Sequence, residues 1–197
     1  MGLLINGGWV LWVLLGLSVA SLAISIQKYW VLSVTRIQSN FVQSIKTQLS
    51  TDAKDAVLKQ LRYSRRIESQ LAGLAIEKHA ASDAVISAEV NRAIQLDYDA
   101  LQSKMGFLSM VITVAPVLGL LGTVLGLMDV FSVLSVEGVG DPRLLSAGIS
   151  KALITTVAGL SLAIPLMFVH QYLSQQIHRR ITRWNQITTQ LVAHLRG

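Results

Sequence analysis

The stretch from Gly106 to Val136 constrains this chain most, because it is about thirty residues long and carries a single ionisable side chain, Asp129. At about 1.5 Å of rise per residue, its uncharged part is long enough to cross the hydrocarbon core of a bilayer as a helix. A membrane-spanning helix is therefore predicted over residues 106–136.

One face of this helix carries almost no side-chain bulk. Spacings of three and four place its members on one side of an α-helix: Gly119, Gly122, Thr123 and Gly126. Pro116 precedes them, and we expect it to kink the helix. A helix that faces only lipid needs no such surface, whereas a helix packed closely on others, or around a narrow path, does.

Composition supports a membrane protein with a substantial part outside the bilayer. Of the 197 residues, 52% are hydrophobic and only 14% are charged. This is too apolar for an ordinary soluble domain and too interrupted for a chain that lies wholly in the membrane. The absence of cysteine excludes disulfides and thiolate metal sites. The four histidines lack ligand spacing and no catalytic constellation occurs, so neither a cofactor nor enzymatic activity is predicted.

Two further membrane helices are predicted. Residues 9–27 begin with a charge-free run, preceded by a short N-terminus of residues 1–8. A cleaved signal peptide is the alternative, but it would carry Lys or Arg before the apolar run, and here they follow it. After a short loop at residues 137–146, residues 147–173 form the third helix, with Pro165 as a second expected kink.

Residues 28–105 are much richer in charged side chains than the predicted membrane helices, since they hold eleven of the seventeen basic residues and eight of the eleven acidic ones. Apolar positions recur there at helical spacing, which predicts a soluble domain of two or three helices. Residues 50–52 look like a turn with a helix cap. The last helix is expected to run unbroken into the helix at 106–136. Residues 174–197 predict a basic amphipathic helix.

The distribution of charge predicts the topology. The basic segments 28–105 and 174–197 share one side of the membrane, which the positive-inside rule makes the cytoplasm, and the N-terminus lies on the outer side. The net charge of +6 then reflects topology and attraction to lipid headgroups. Nucleic acid is not an expected partner, because the basic residues alternate with acids and no binding motif accompanies them.

The third helix repeats the small face of the second, with these members at spacings of four and three: Ala152, Thr156, Gly159 and Ala163. Two interpretations stay open from the residues alone. In one, the faces serve close helix packing and each threonine hydroxyl bonds its own helix backbone. In the other, the hydroxyls belong to a hydrophilic lining.

The strings APVLGLLGTVLGLMDVF and GISKALITTVAGLSLAIP resemble the signature of the ExbB/TolQ/MotA family of ion-driven motor subunits, most of all its ExbB branch, which energises outer-membrane transport. The three crossings and the large insertion after the first also match. The resemblance implies an all-α protein of the bacterial inner membrane, with a periplasmic N-terminus, a cytoplasmic C-terminus and long helices extending into a cytoplasmic helical domain.

The resemblance also implies partners. A homopentamer of this chain would enclose the membrane helices of two copies of an ExbD- or TolR-like single-pass protein, whose membrane aspartate carries the proton, and the complex would act on a TonB-like protein. The second and third helices would line the pore, with Thr123 and Thr156 facing that aspartate. The rest of the lining would come from the small residues of both faces: Gly119, Gly122, Gly126, Ala152, Gly159 and Ala163.

One position departs from the family pattern. Where ExbB and TolQ sequences usually have glutamate, this chain has Lys151. If the two threonines lie level, Asp129 and Lys151 differ in depth by only about 2 Å, so we hypothesise an ion pair at the outer mouth, within one chain or between neighbours. In the alternative, each residue marks a helix end at the headgroups, with Lys151 reaching outward.

Other functions compete with energised outer-membrane import. A TolQ-like role in envelope integrity and cell division fits the same residues. A passive membrane scaffold would need the small faces for packing alone and would not depend on the hydroxyls. A secondary transporter is disfavoured by three crossings without an internal repeat.

Overall fold

A computed structural model of the chain describes residues 8–34, 43–45, 47, 54–63, 67–77, 83–137 and 142–196. The regular structure of these residues is α-helical, which confirms the predicted all-α class. The helices are α1 (Gly8–Val34), α2 (Lys54–Tyr63), α3 (Ile67–Glu77), α4 (Asp83–Gln102), α5 (Met105–Glu137) and α6 (Pro142–Arg196). The turn predicted at residues 50–52 and the first seven residues of the N-terminus lie outside the described ranges.

Three helical stretches are long and apolar enough to cross a membrane. They are Gly8–Ser33, Val85–Ser132 and Gly148–Ala193, and they overlap the three predicted crossings in α1, α5 and α6. Each of them contains a continuous apolar run that, as a helix, is about as long as the hydrocarbon core of a bilayer is thick.

A short turn separates α4 from α5, so the predicted unbroken helix is wrong. The turn is formed by Ser103 and Lys104, and Lys104 adopts a left-handed backbone conformation with φ of 67°. The Ser103 N–H donates to Asp99 O at 2.9 Å, and Lys104 Nζ donates to Gln27 Oε1 at 2.9 Å. Left-handed residues end helices, but this role usually falls to Gly or Asn, whereas here a lysine occupies the position.

The last helix is longer than predicted. It runs from Pro142 to Arg196 as a single element of 55 residues, without a break at residue 173. It also starts inside the predicted loop of residues 137–146, at a proline whose missing N–H costs nothing in a first helical turn. Helical structure continues through Pro116 and Pro165, and the kinks predicted there stay a prediction.

The chain divides into two compact units. The first consists of residues up to Tyr29 and of Lys104–Leu173, and it contains the predicted crossings. Many large apolar side chains of this unit are exposed, among them Trp12, Leu22, Leu120, Met128, Phe131, Leu153, Val157 and Phe168. A soluble protein rarely exposes so much apolar surface, whereas the hydrocarbon of a bilayer or the helices of another subunit can cover it.

The second unit consists of Trp30–Ser103 and Ser174–Gly197. Its core cluster joins Ile45 to residues of α2, α3 and the C-terminal part of α6: Val57, Leu61, Ala72, Ala75, Ile76, Ile187 and Leu191. Trp184 is fully buried as well. The C-terminal part of α6 thus has an apolar face that packs within this unit.

Candidate functional site

The small faces of α5 and α6 pack directly against each other within one chain. A Cβ atom added to Gly119 would lie 2.9 Å from Thr155 O, and one added to Gly126 would lie 3.0 Å from Ala152 Cβ. A Cβ atom on Gly159 would lie 2.5 Å from Ala115 O. Contacts this short are possible only where a side chain is absent, so these glycines let the two backbones touch.

Thr155, a residue that the sequence did not single out, lies at the centre of this contact. Its side chain is 1% exposed and fills the space where a side chain of residue 122 would be. A Cβ atom on Gly122 would lie 2.5 Å from Thr155 Cβ and 2.8 Å from its Cγ2. A signal for it exists, because Ala152, Thr155 and Gly159 also recur at spacings of three and four.

The two threonines predicted to face a partner are half-buried, at the edge of the contact. Thr123 Oγ1 donates to Leu120 O of its own helix at 2.6 Å. Thr156 Oγ1 instead donates across to Gly119 O on α5, at 3.3 Å. The first bond follows the packing interpretation, in which a threonine hydroxyl bonds its own helix. The second is longer and links the two helices.

Exposed apolar side chains flank both threonines. On α5, Leu120 and Val124 are exposed beside Thr123, and on α6, Leu153 and Val157 are exposed beside Thr156. The hydroxyls therefore lie between a sealed helix contact and a surface that another apolar helix can cover. A hydroxyl can donate and accept a hydrogen bond, but it carries no charge at neutral pH. Such a site can stabilise a charged or hydrated group supplied from outside this chain.

The ion pair hypothesised between Asp129 and Lys151 is present within one chain. Lys151 Nζ lies 2.8 Å from Asp129 Oδ2, with side-chain exposures of 32% for Lys151 and 62% for Asp129. The stem of Lys151 also runs beside the first residue of α1, with its Cε 3.5 Å from the position of a Cβ on Gly8. The pair thus joins α5 to α6 next to the beginning of α1.

A second feature of the first unit is an apolar groove of about 420 Å³ between α1 and α6, whose lining includes Pro165. Two serine hydroxyls in it bond their own helix: Ser21 Oγ donates to Ser18 O at 3.0 Å and Ser25 Oγ to Ser21 O at 2.7 Å.

Within the ranges that the structure describes, no group of three or more His, Asp or Glu side chains is placed to hold a metal ion.

Known proteins match the part of the chain that contains α5 and most of α6. A family model described as the MotA/TolQ/ExbB proton channel family matches residues 55–186. A biopolymer transport protein ExbB homologue of Methanothermobacter thermautotrophicus is 23% identical over 180 residues, which cover 90% of this chain and 64% of that protein. The biopolymer transport protein ExbB-like 1 of Synechocystis sp. is 31% identical over 180 residues, 86% of this chain and 68% of that protein.

The Tol-Pal system protein TolQ of Haemophilus influenzae is 35% identical over 89 residues, 45% of this chain and 39% of that protein. The chain thus spans about two thirds of the length of the two ExbB-named relatives. The family model covers the greater part of the chain and includes both of the small-faced helices. This chain is therefore a member of the MotA/TolQ/ExbB proton channel family.

Proposed function

We propose that this chain is a proton-conducting motor subunit of the bacterial inner membrane. With an ExbD-like partner, it converts the proton motive force into mechanical work on a TonB-like protein for outer-membrane import. The observation that carries the proposal is the position of Thr123 and Thr156, half-buried hydroxyls at the edge of the α5–α6 contact. The ExbB names of two relatives agree with it.

The glycines and the threonines have different tasks in this proposal. Gly119, Gly122, Gly126 and Gly159 bring α5 and α6 into backbone contact, which closes the space between them. The pathway then runs along the outer side of the contact, where Thr123 and Thr156 supply hydroxyls. Ala152 and Ala163, both buried, complete the wall behind them.

The proton carrier comes from another chain. From Gly106 to Met128 the second crossing has no ionisable side chain, so this chain offers no carboxylate at mid-membrane. A single-pass partner of the ExbD or TolR type supplies the aspartate, which gains and loses a proton in turn as protons move down the gradient. Each unit charge that crosses 100 mV releases about 2.3 kcal/mol, and this is the source of the work.

The exposed apolar surface of α5 and α6 is the proposed contact with neighbouring copies, in a homopentamer around two partner helices. The N-terminus lies in the periplasm, and the C-terminus lies in the cytoplasm with the second unit. Asp129 and Lys151 then lie at the outer mouth. Their pairing keeps the lysine charge from repelling cations that enter there.

The test measures proton flux into vesicles that contain this chain together with an ExbD-like single-pass protein. Thr156→Val removes the hydroxyl and nearly keeps the shape, whereas Thr156→Ser keeps the hydroxyl. We expect flux that depends on the partner aspartate, a reduction of about tenfold or more in the valine variant, and retention in the serine variant. Equal flux in the wild type and the valine variant would support a passive scaffold instead.

A TolQ-like role in envelope integrity and cell division is the second candidate, favoured by the similarity to the Haemophilus influenzae protein. The two roles differ in what a deletion does. Loss of energised import with an intact envelope supports the ExbB-like role. Leakage of periplasmic proteins and defective division support the TolQ-like role.

A further inference from the structure

The backbone carbonyl of Gly119 is a shared acceptor at the α5–α6 contact. In an α-helix it accepts the N–H of Thr123, four residues later. Two hydroxyls of α6 also reach it, Thr155 Oγ1 at 3.3 Å and Thr156 Oγ1 at 3.3 Å. A carbonyl oxygen has two lone pairs, so one is left for the two threonine hydroxyls to share.

Thr155 has a choice of acceptor for its single hydroxyl proton. Its Oγ1 lies 2.7 Å from Ala152 O on its own helix and 3.3 Å from Gly119 O on α5. The shorter contact holds the proton, because hydroxyl hydrogen bonds are strongest near this length. A rotation about the C–O bond alone transfers the bond to Gly119 O. Ala152 O keeps the N–H of Thr156 when this happens, so neither carbonyl is left without a donor.

We propose that Thr155 is a positioning residue that supplies a reserve hydrogen bond to Gly119 O, so that the Thr156 hydroxyl can leave that carbonyl and act on a partner's aspartate. The inference rests on the proposed function for the role of Thr156. The reserve bond keeps a hydroxyl donor on Gly119 O, which would otherwise retain only the Thr123 N–H once the Thr156 hydroxyl leaves. Thr155 stays in place because it is buried, whereas Thr156 is half-buried at the edge of the contact.

Gly122 holds the reserve donor in position. The Thr155 side chain occupies the space that a Cβ atom on residue 122 would fill, with its Cγ2 2.8 Å from that position. The Thr155 Oγ1 is the atom nearest to that position, so Gly122→Ala displaces the Thr155 hydroxyl without removing it and serves as a second variant. It should reproduce the loss caused by Thr155→Val.

The first experiment reads the carbonyl itself, in the full chain alone in lipid bilayers. The ¹³C resonance of Gly119 C=O is followed by solid-state NMR. In Thr156→Val we expect it to stay near its wild-type position, because Thr155 takes over. In the double variant Thr155→Val with Thr156→Val it should move upfield, as expected for a lost hydrogen bond. If Thr156→Val alone moves the resonance as far as the double variant does, Thr155 supplies no reserve bond and the proposal is wrong.

The second experiment measures proton flux in vesicles with the single-pass partner. Thr155→Val should lower the flux about fivefold, the factor expected for one buried hydrogen bond, and Thr155→Ser should restore most of it. Unchanged flux in Thr155→Val, or an equal loss in the serine variant, would contradict the proposal. If the wild type shows no partner-dependent flux, the proposed function fails, and the carbonyl resonance still decides whether Thr155 replaces Thr156.

Discussion

Lys151 on α6 and Asp129 on α5 form an ion pair within one chain, with Nζ and Oδ2 separated by 2.8 Å. The lysine is the less exposed partner, and its aliphatic stem runs along the first residue of α1. The positive charge of the lysine is therefore balanced by a carboxylate of the same chain.

Exchanging the two charges tests whether the pair matters for function. Asp129→Lys alone places two ammonium groups together, and Lys151→Asp alone places two carboxylates together, so each should reduce proton flux through like-charge repulsion. The double exchange should recover most of it. Stability should change by no more than about 1 kcal/mol, since both side chains are partly exposed. A double variant as inactive as either single one would rule out the pairing role.

Adding a methyl group at the helix contact should destabilise the first unit. In Gly159→Ala the new Cβ atom would lie 2.5 Å from Ala115 O, and such overpacking costs about 1–3 kcal/mol. Gly16→Ala on α1 is the matched control, because its Cβ atom meets nothing within 4 Å. The control should be neutral or stabilising by up to about 1 kcal/mol. Thermal unfolding in detergent compares the two, and equal shifts would argue against the close contact.

The left-handed conformation of Lys104 makes a prediction about backbone strain. Lys104→Gly and Lys104→Ala both lose the hydrogen bond to Gln27, but only glycine adopts a positive φ without steric cost. The glycine variant should therefore be more stable than the alanine variant by about 1 kcal/mol. The difference in unfolding midpoint between the two variants measures this term. An alanine variant that matched or exceeded the glycine variant would mean that residue 104 continues the helix.

The C-terminal part of α6 should contribute to stability as part of a protein core. Leu191→Ala removes a fully buried side chain from the cluster of the second unit, which costs about 2–5 kcal/mol. Gln190→Ala, at the exposed neighbouring position, should have almost no effect. Denaturant unfolding of the full chain, followed by Trp fluorescence, measures both. If Leu191→Ala weakened vesicle binding and left unfolding unchanged, this face would contact lipid instead.

The sequence was informative about features that depend on one helix at a time. Charge-free runs located the three apolar helices, and periodic apolar positions located buried residues such as Ile94 and Trp184. Both signals are local, since helix length and the identity of the buried face follow from spacing along one element. The turn was not predicted because its left-handed position is a lysine, a residue type that does not indicate a helix end. The continuity of α6 was not predicted because its apolar and amphipathic segments are both good helix formers and nothing in the sequence shows that they join.

What two helices do together was decided only by the tertiary structure. Neighbouring residues on a helix point about 100° apart, so the way α5 and α6 meet determines which of two adjacent threonines is sealed in the contact. Thr155 is buried there against Gly122, and Thr156 is left at the edge with its hydroxyl on Gly119 O. The pairing of Asp129 with Lys151 inside one chain was settled in the same way. Spacing along each helix predicts that the small residues share one face. Only the contact between the two helices determines which residues of that face are buried in packing and which hydroxyls stay at its edge.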